Sequence, residues 1–306
     1  MLGRDADPNA LTEDGWSPLL LAARSDLAEA AAELVARGAD PAVPGPDGHT
    51  ALQLAAAQGN LATLQALLDA GVPARQASAD GSTALHAAAQ AGSIGAIDLL
   101  LARGADPNAA NAENWSPLLL AALFDHAEAA TRLMAGGATH APASPNGQTP
   151  LQLAAAKGNL ATLAALLDAG VSVHQQDGDG ETALHAAVLT PQLEAARTLL
   201  ARGASPAAGR AGALAPLHVT AFNFSHGGEM AELLLDAGAP INARNKHRAT
   251  ALLLAAQQGN LTVIRVLVER GADRRLKSVG GRTALEAARA AGKAAAVDLL
   301  ESLPGD

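Results

Sequence analysis

One short pattern recurs every 33 residues along this chain, and that period constrains the fold more than any other feature. The pattern is Ser, Thr or Ala, then Pro or Ala, then Leu, a variable residue and a small apolar cluster. Its Leu falls at Leu19, Leu52, Leu85, Leu118, Leu151, Leu184, Leu217, Leu252 and Leu285. Six steps of 33 residues are followed by one of 35 and one of 33. A unit of this size cannot bury its apolar face alone and must stack on its neighbours. The chain is therefore expected to be one solenoid domain over 1–306, with a partial repeat at 1–9 and nine repeats after it. Length alone would suggest two globular domains.

Each unit follows the same course. Thr50 caps a first helix that runs to Gly59-Asn60, where a left-handed residue breaks it. A second helix follows, with Leu61, Leu64, Leu67 and Leu68 on one face, and Gly71 ends it. Segments such as Gly45-Pro-Asp-Gly48 and Asp177-Gly-Asp-Gly180 are turn sequences and should project as hairpin fingers. Hydrophobic residues make up 49% of the chain and aromatic ones only 2%, so the core must be built from Ala and Leu. That composition favours closely packed helices over sheet.

A slower rhythm overlies the first. Trp16-Ser-Pro-Leu returns as Trp115-Ser-Pro-Leu, and Gly59-Asn-Leu-Ala-Thr-Leu64 returns at 158–163, each 99 residues on. A block of three repeats has been duplicated, with a diverged third block after it. The 35-residue step places a two-residue insertion in Phe222–Glu229. Residues 1–9 read as the tail of a preceding repeat, as if the chain continued a longer array.

Thr83-Ala-Leu-His86-Ala-Ala, Thr182-Ala-Leu-His185-Ala-Ala and Ala215-Pro-Leu-His218, with Gly104-Ala-Asp-Pro-Asn108 and Gly203-Ala-Ser-Pro206, carry a resemblance. The chain resembles the ankyrin-repeat family over nearly its whole length. The resemblance implies an all-α solenoid of helix-turn-helix units joined by β-hairpin fingers. It gives His86, His185 and His218 a structural role, bonding between adjacent finger backbones. It also implies that partners bind on the finger tips and the first-helix face of a concave groove, at positions three and six before each key Leu and five and six after it. Trp16, Trp115, Phe124 and Phe222 fall on such positions; Leu123 stands five after Leu118, and Phe224 lies beside one. These six are the candidate partner-binding residues, since buried aromatics concentrate binding energy. Packing over neighbouring fingers is the plainer alternative for the two Trp.

Charge supplies a second candidate. Residues 1–205 carry nine Lys/Arg against 21 Asp/Glu, whereas 206–306 carry twelve against nine. Arg244, Lys246 and Arg248 precede the eighth repeat, and Arg274, Arg275, Lys277 and Arg282 the ninth. Consecutive fingers would merge them into a positive edge for an anionic partner, although such runs are more often a solvated face. The acidic total of −9 argues against nucleic acid.

Other chemistry finds little footing. The absence of cysteine removes disulfides and thiolate chemistry. Asp177-Gly-Asp-Gly-Glu181 hints at a calcium loop, but the twelfth position, which needs a bidentate Glu, is Val188. No catalytic residue, metal or cofactor is expected, and no stretch approaches a membrane span. The expectation is a monomeric, non-catalytic scaffold for protein–protein interaction, binding a protein partner along its groove and finger tips. The alternatives are a targeting domain from a larger enzyme or effector, and an immunity protein neutralising a toxin. Cytoplasmic location is expected, or periplasmic or secreted if an upstream segment is removed. The Ala-rich duplicated sequence suggests a bacterial source.

Overall fold

The computed structural model describes residues 7–140, 144–209 and 214–303. Residues 1–6, most of the expected partial repeat, lie outside the described residues. The chain divides into two compact units: Met1–Pro150 with Ala164–Gly170, and Leu151–Leu163 with Val171–Asp306.

Among the described residues there are eighteen α-helices in consecutive pairs. The first eight are α1 (Pro18–Arg24), α2 (Ala28–Ala36), α3 (Ala51–Gln58), α4 (Leu61–Asp69), α5 (Ala84–Ala91), α6 (Ile94–Ala102), α7 (Pro117–Leu123) and α8 (Ala127–Ala135). They are followed by α9 (Pro150–Lys157) and α10 (Leu160–Asp168). The remainder are α11 (Ala183–Leu189), α12 (Leu193–Ala201), α13 (Pro216–Val219), α14 (Gly227–Asp236), α15 (Ala251–Gln258), α16 (Leu261–Glu269), α17 (Ala284–Ala290) and α18 (Ala294–Ser302). In the first unit α1, α3, α5 and α7 pack in succession, and so do α2, α4, α6 and α8. In the second, α11, α13, α15 and α17 do the same, as do α14, α16 and α18.

The repeated pattern shows why. Its Leu is almost completely buried at eight of the nine positions. The ninth, Leu285, has no later first helix against it among the described residues and is half-buried. Pairs of Ala three and four positions on, such as Ala55-Ala56 and Ala88-Ala89, are also buried. They let successive helices approach closely, so little bulk is needed to fill the space between. Hydroxyls of Ser17, Thr50, Ser116, Thr250 and Thr283 accept backbone N–H groups at the helix starts. Seven residues after the key Leu the backbone turns left-handed, at Gly in five repeats and at Asp26 and Asp125 in two.

The expected hairpin fingers are present in their shortest form. No strand occurs among the described residues, only the isolated bridges Ala77–Thr83 and Gln176–Thr182. Among the described residues, eight fingers are five-residue turns, each closed by two hydrogen bonds. At 45–49, Gly45 N–H donates to the His49 carbonyl at 2.8 Å and Gly48 N–H to the Gly45 carbonyl at 2.9 Å. The same pair recurs at 12–16, 78–82, 111–115, 144–148, 177–181, 245–249 and 278–282. Two bonds complete the reversal, and at 78–82 and 177–181 one antiparallel bridge follows directly outside it. The fourth residue of each turn has positive φ, and it is Gly everywhere except Asn114 and Arg248.

The insertion falls in the connection after Leu217. There α13 gives way to a 3₁₀ turn, Thr220–Phe222, and the buried Asn223 accepts the N–H groups of Ser225 and His226 at 3.2 and 3.1 Å. Asn260 Nδ2 donates to the Asn223 carbonyl at 2.7 Å, tying the enlarged connection to α16. This close approach needs Gly227, where a Cβ would lie 2.8 Å from both the Thr220 oxygen and Val263 Cγ2.

Two stability changes follow. Arg248, at φ +55°, carries left-handed strain that glycine would not, so Arg248→Gly should raise stability by about 0.5–1 kcal/mol after glycine's entropic cost, and the urea midpoint with it. Gly227→Ala should lower stability by about 1–3 kcal/mol through overpacking. An unchanged midpoint in either variant would contradict the corresponding geometry.

Candidate functional site

The residue after each key Leu sits at the third position of its first helix, and in five repeats, where it is His or Gln, its side chain ties the repeat to the next finger. In α5, His86 Nδ1 accepts Thr83 N–H at 3.1 Å, which makes the opposite nitrogen the N–H donor. That nitrogen, Nε2, lies 3.0 Å from the Trp115 carbonyl, 29 residues on. His185 repeats this with Thr182 and the Leu214 carbonyl at 2.9 Å. Glutamine serves in the same way. Gln53 Oε1 accepts Thr50 N–H while Nε2 donates to the Ser82 carbonyl at 2.6 Å. Gln152 Nε2 reaches the Glu181 carbonyl at 2.9 Å. At His218 the reach is 31 residues, to the Ala249 carbonyl at 3.2 Å, because the insertion intervenes. Both nitrogens of each buried imidazole are thus engaged, leaving neither free for proton transfer or metal binding.

Two of these ties hold the fingers at 78–82 and 111–115 over the first helices of the first unit, and the finger at 45–49 lies beside them. The space between them is a groove of ≈ 590 Å³. Leu120 forms part of its floor, with Trp115, Leu123 and Phe124 at one side. Asp47, Asp80 and Glu113 stand on its finger side. Ala112 N–H donates to the Asp80 carbonyl at 2.7 Å, linking the tips of successive fingers. Asp80 itself accepts from the Ser78 hydroxyl at 2.6 Å, the Ser82 N–H at 3.0 Å and the Ser82 hydroxyl at 2.8 Å. The Ser78 bond first, and then those from Ser82, pull its carboxyl down to about 2.

A separate cavity of ≈ 520 Å³ in the second unit lies between α15 and α17 and their fingers, with His247 and Arg282 on its rim. Among the described residues no group of three or more His, Asp or Glu could hold a metal ion. No helix of the described residues is long and apolar enough to cross a membrane.

The family description "Ankyrin repeats (3 copies)" matches residues 1–76, 19–111, 62–142, 118–209 and 217–304. The chain belongs to the ankyrin-repeat family. Among solved structures 541 chains match. One is the ankyrin repeat domain of Bcl-3, described as a unique member of the IkappaB protein family. It is 33% identical with a TM-score of 0.63, over 73% of this chain and 100% of that one. No curated protein matches the sequence.

Within this ankyrin frame the expected contact residues separate. Trp115, Leu123 and Phe124 come together in the first unit's groove, and Phe124 is 46% exposed. Trp16 is half-buried, packed toward Gly45 of the next finger, with the Arg24 guanidinium 4.4 Å from its ring centroid. Phe222, in the 3₁₀ turn, is 41% exposed, and Phe224, in the connection after it, is 60% exposed. Neither lines the second unit's cavity.

The expected cationic edge is thinner than the run of basic residues suggests. Arg274 turns away to the carbonyls of Leu300 and Leu303 at the end of α18, a favourable place for a cation. Arg275 lies 3.5 Å from Asp273. Arg244, Lys246, Arg248, Lys277 and Arg282 are exposed.

Sequence reasoning missed the carboxylates. Asp14, Asp47, Asp80 and Glu113 are separated by 33 residues each and are all exposed at the third position of a finger. Reading charge down one repeat position would have found them; reading it by runs along the chain does not.

Burial first lowers the pKa of His86, His185 and His218, opposed by the carbonyls they meet and, for the first two, by Asp80 and Asp177. Their folded values lie below the unfolded value near 6.5, so the unfolded chain takes up protons that the folded one refuses. Stability from these groups is fully present above about pH 6.5 and is lost as pH falls below it, by up to ~1.4 kcal/mol per pH unit for each His. Urea midpoints between pH 7 and 5 should therefore fall. The triple variant with Gln at 86, 185 and 218 should flatten that slope, since Gln53 and Gln152 already serve there; an unaltered slope would refute the assignment.

Proposed function

We propose that this chain is a non-catalytic scaffold that holds a partner protein in the groove of its first unit, against Trp115, Leu123 and Phe124. One observation carries the reading. Large apolar side chains stand at the edge of a groove whose polar framework is already occupied in holding the fingers. Covering a ring such as Phe124 by a partner removes apolar surface from water, and aromatic anchors of this kind dominate interface energetics. Catalysis has no part in this reading, because the three buried histidines are spent on structure.

Phe222 and Phe224 are a second, smaller contact surface in this proposal, belonging to the second unit alone. The exposed cations at 244–248, 277 and 282 are left as a solvated face.

The test is capture of partners from source lysate by the native chain and by the Trp115→Ala/Phe124→Ala double variant. His86 bonds the backbone carbonyl of Trp115, so the substitution leaves that tie in place. The expected result is a captured protein whose retention drops by at least about tenfold in a variant with unchanged circular dichroism. Equal retention by both proteins would remove the groove from the reading.

A further inference from the structure

The finger side of the first unit's groove carries charge that no Lys or Arg among the described residues neutralises. Residues 1–150 contain no lysine and six arginines against sixteen Asp/Glu. Of the described arginines, Arg37 pairs with Glu33, Arg103 with Asp69, and Arg132 with Asp98 and Glu128. Those carboxylates lie on the second helices or at their ends. Arg24 lies over Trp16, and Arg75 donates to the Gly104 carbonyl at 2.9 Å. Among the described residues none of Asp14, Asp47, Asp80 and Glu113 is ion-paired with Lys or Arg; Asp47 has only His49 Nδ1, at 3.6 Å. The cations are placed elsewhere, and the finger tips are left negative.

Three of these carboxylates line the same cavity as Trp115, Leu123 and Phe124. The 33-residue period puts them at one turn position, so they form a row across successive fingers. Asp80 is held ionised by its serine partners at any physiological pH. Low-dielectric walls beside such a row strengthen its field and favour a positive occupant.

Resting on the function proposed above, we infer that the groove's occupant is an extended cationic segment of the partner. Its Lys or Arg side chains meet Asp47, Asp80 and Glu113, and an apolar side chain enters the cavity against Leu123 and Phe124. A neutral apolar segment would leave the row uncompensated, and an acidic one would be repelled by it.

The test begins by panning a random peptide display library, about twelve variable residues long (~40 Å extended), on the full chain. Selected peptides should be enriched in Lys or Arg together with at least one large apolar residue. A labelled winner is then titrated by fluorescence anisotropy. Asp47→Asn/Glu113→Gln should weaken binding roughly tenfold, with the effect shrinking at high salt. The asparagine introduced by Asp47→Asn keeps an acceptor for the His49 N–H that Asp47 binds at 3.1 Å, so the finger should persist. Asp98→Asn/Glu128→Gln removes the same charge away from the groove and should leave affinity unchanged.

Neutral or acidic winners whose binding is lost in Phe124→Ala would overturn the charge assignment and leave the groove reading standing. Equal weakening by the two neutralised variants would reduce the effect to net charge and overturn the row. Winners indifferent to Phe124→Ala, or no enrichment at all, would overturn both.

Discussion

The hydrogen bond from the third residue of one first helix to the finger of the following repeat is what the surface depends on. Burial of Leu and Ala between helices supplies most of the driving force, but it is non-directional and leaves a short turn free to swing. The tie from His86 to the Trp115 carbonyl, or from Gln53 to Ser82, removes that freedom. It spans 29 residues and joins elements that are neighbours only once the stack has formed, so it reports and reinforces the repeat-to-repeat register. Imidazole and carboxamide both serve because each offers an acceptor to its own helix start and a donor across the gap. Where the position is Leu, as at Leu20, Leu119 and Leu253, the Ser or Thr cap alone satisfies the helix start.

That division explains which parts of the structure are legible in the sequence. The nine Leu positions, the caps and the helix-ending glycines each follow from a local rule, and a 33-residue period repeats the rule until chance is no rival. The structural role of the three histidines comes through the family resemblance, and the geometry agrees with it. The finger residues are turn formers and so suggest hairpins, yet whether a turn continues into a ladder depends on flanking backbone that composition does not specify. Arg274 groups with its basic neighbours in sequence, although a side chain of that length answers to whatever carbonyls lie within reach. Here those are at the end of α18 and just beyond it, 26 and 29 residues on.

The aromatic residues mark another limit. Trp16 and Trp115 occupy the same repeat position, three before the key Leu, and no local rule separates them. Their surroundings do. Trp16 meets a glycine of the next finger and an arginine from its own first helix. Trp115 faces the space beside Leu123 and Phe124. Phe222 falls on a repeat position and Phe224 beside one, yet both sit in the connection that departs from the period, so the repeat does not fix their surroundings.

The same period that fixes the core also writes the surface, and this is why a solenoid's recognition chemistry has to be read by position within the repeat. Asp14, Asp47, Asp80 and Glu113 are far apart along the chain and belong to no acidic run, so a search for charged stretches passes over them. Placed at one turn position on successive fingers they become neighbours, for the same reason that Leu19, Leu52, Leu85 and Leu118 do. A charge at that position costs the stack almost nothing, since the turn tip is exposed and the hydrogen bonds closing it are backbone to backbone. At Asp47 and Asp80 the carboxylate also accepts the N–H two residues on, so it steadies its own turn as well as charging the tip. Four carboxylates at successive finger tips, in a unit whose described arginines are engaged elsewhere, are the observation on which the proposed cationic occupant rests.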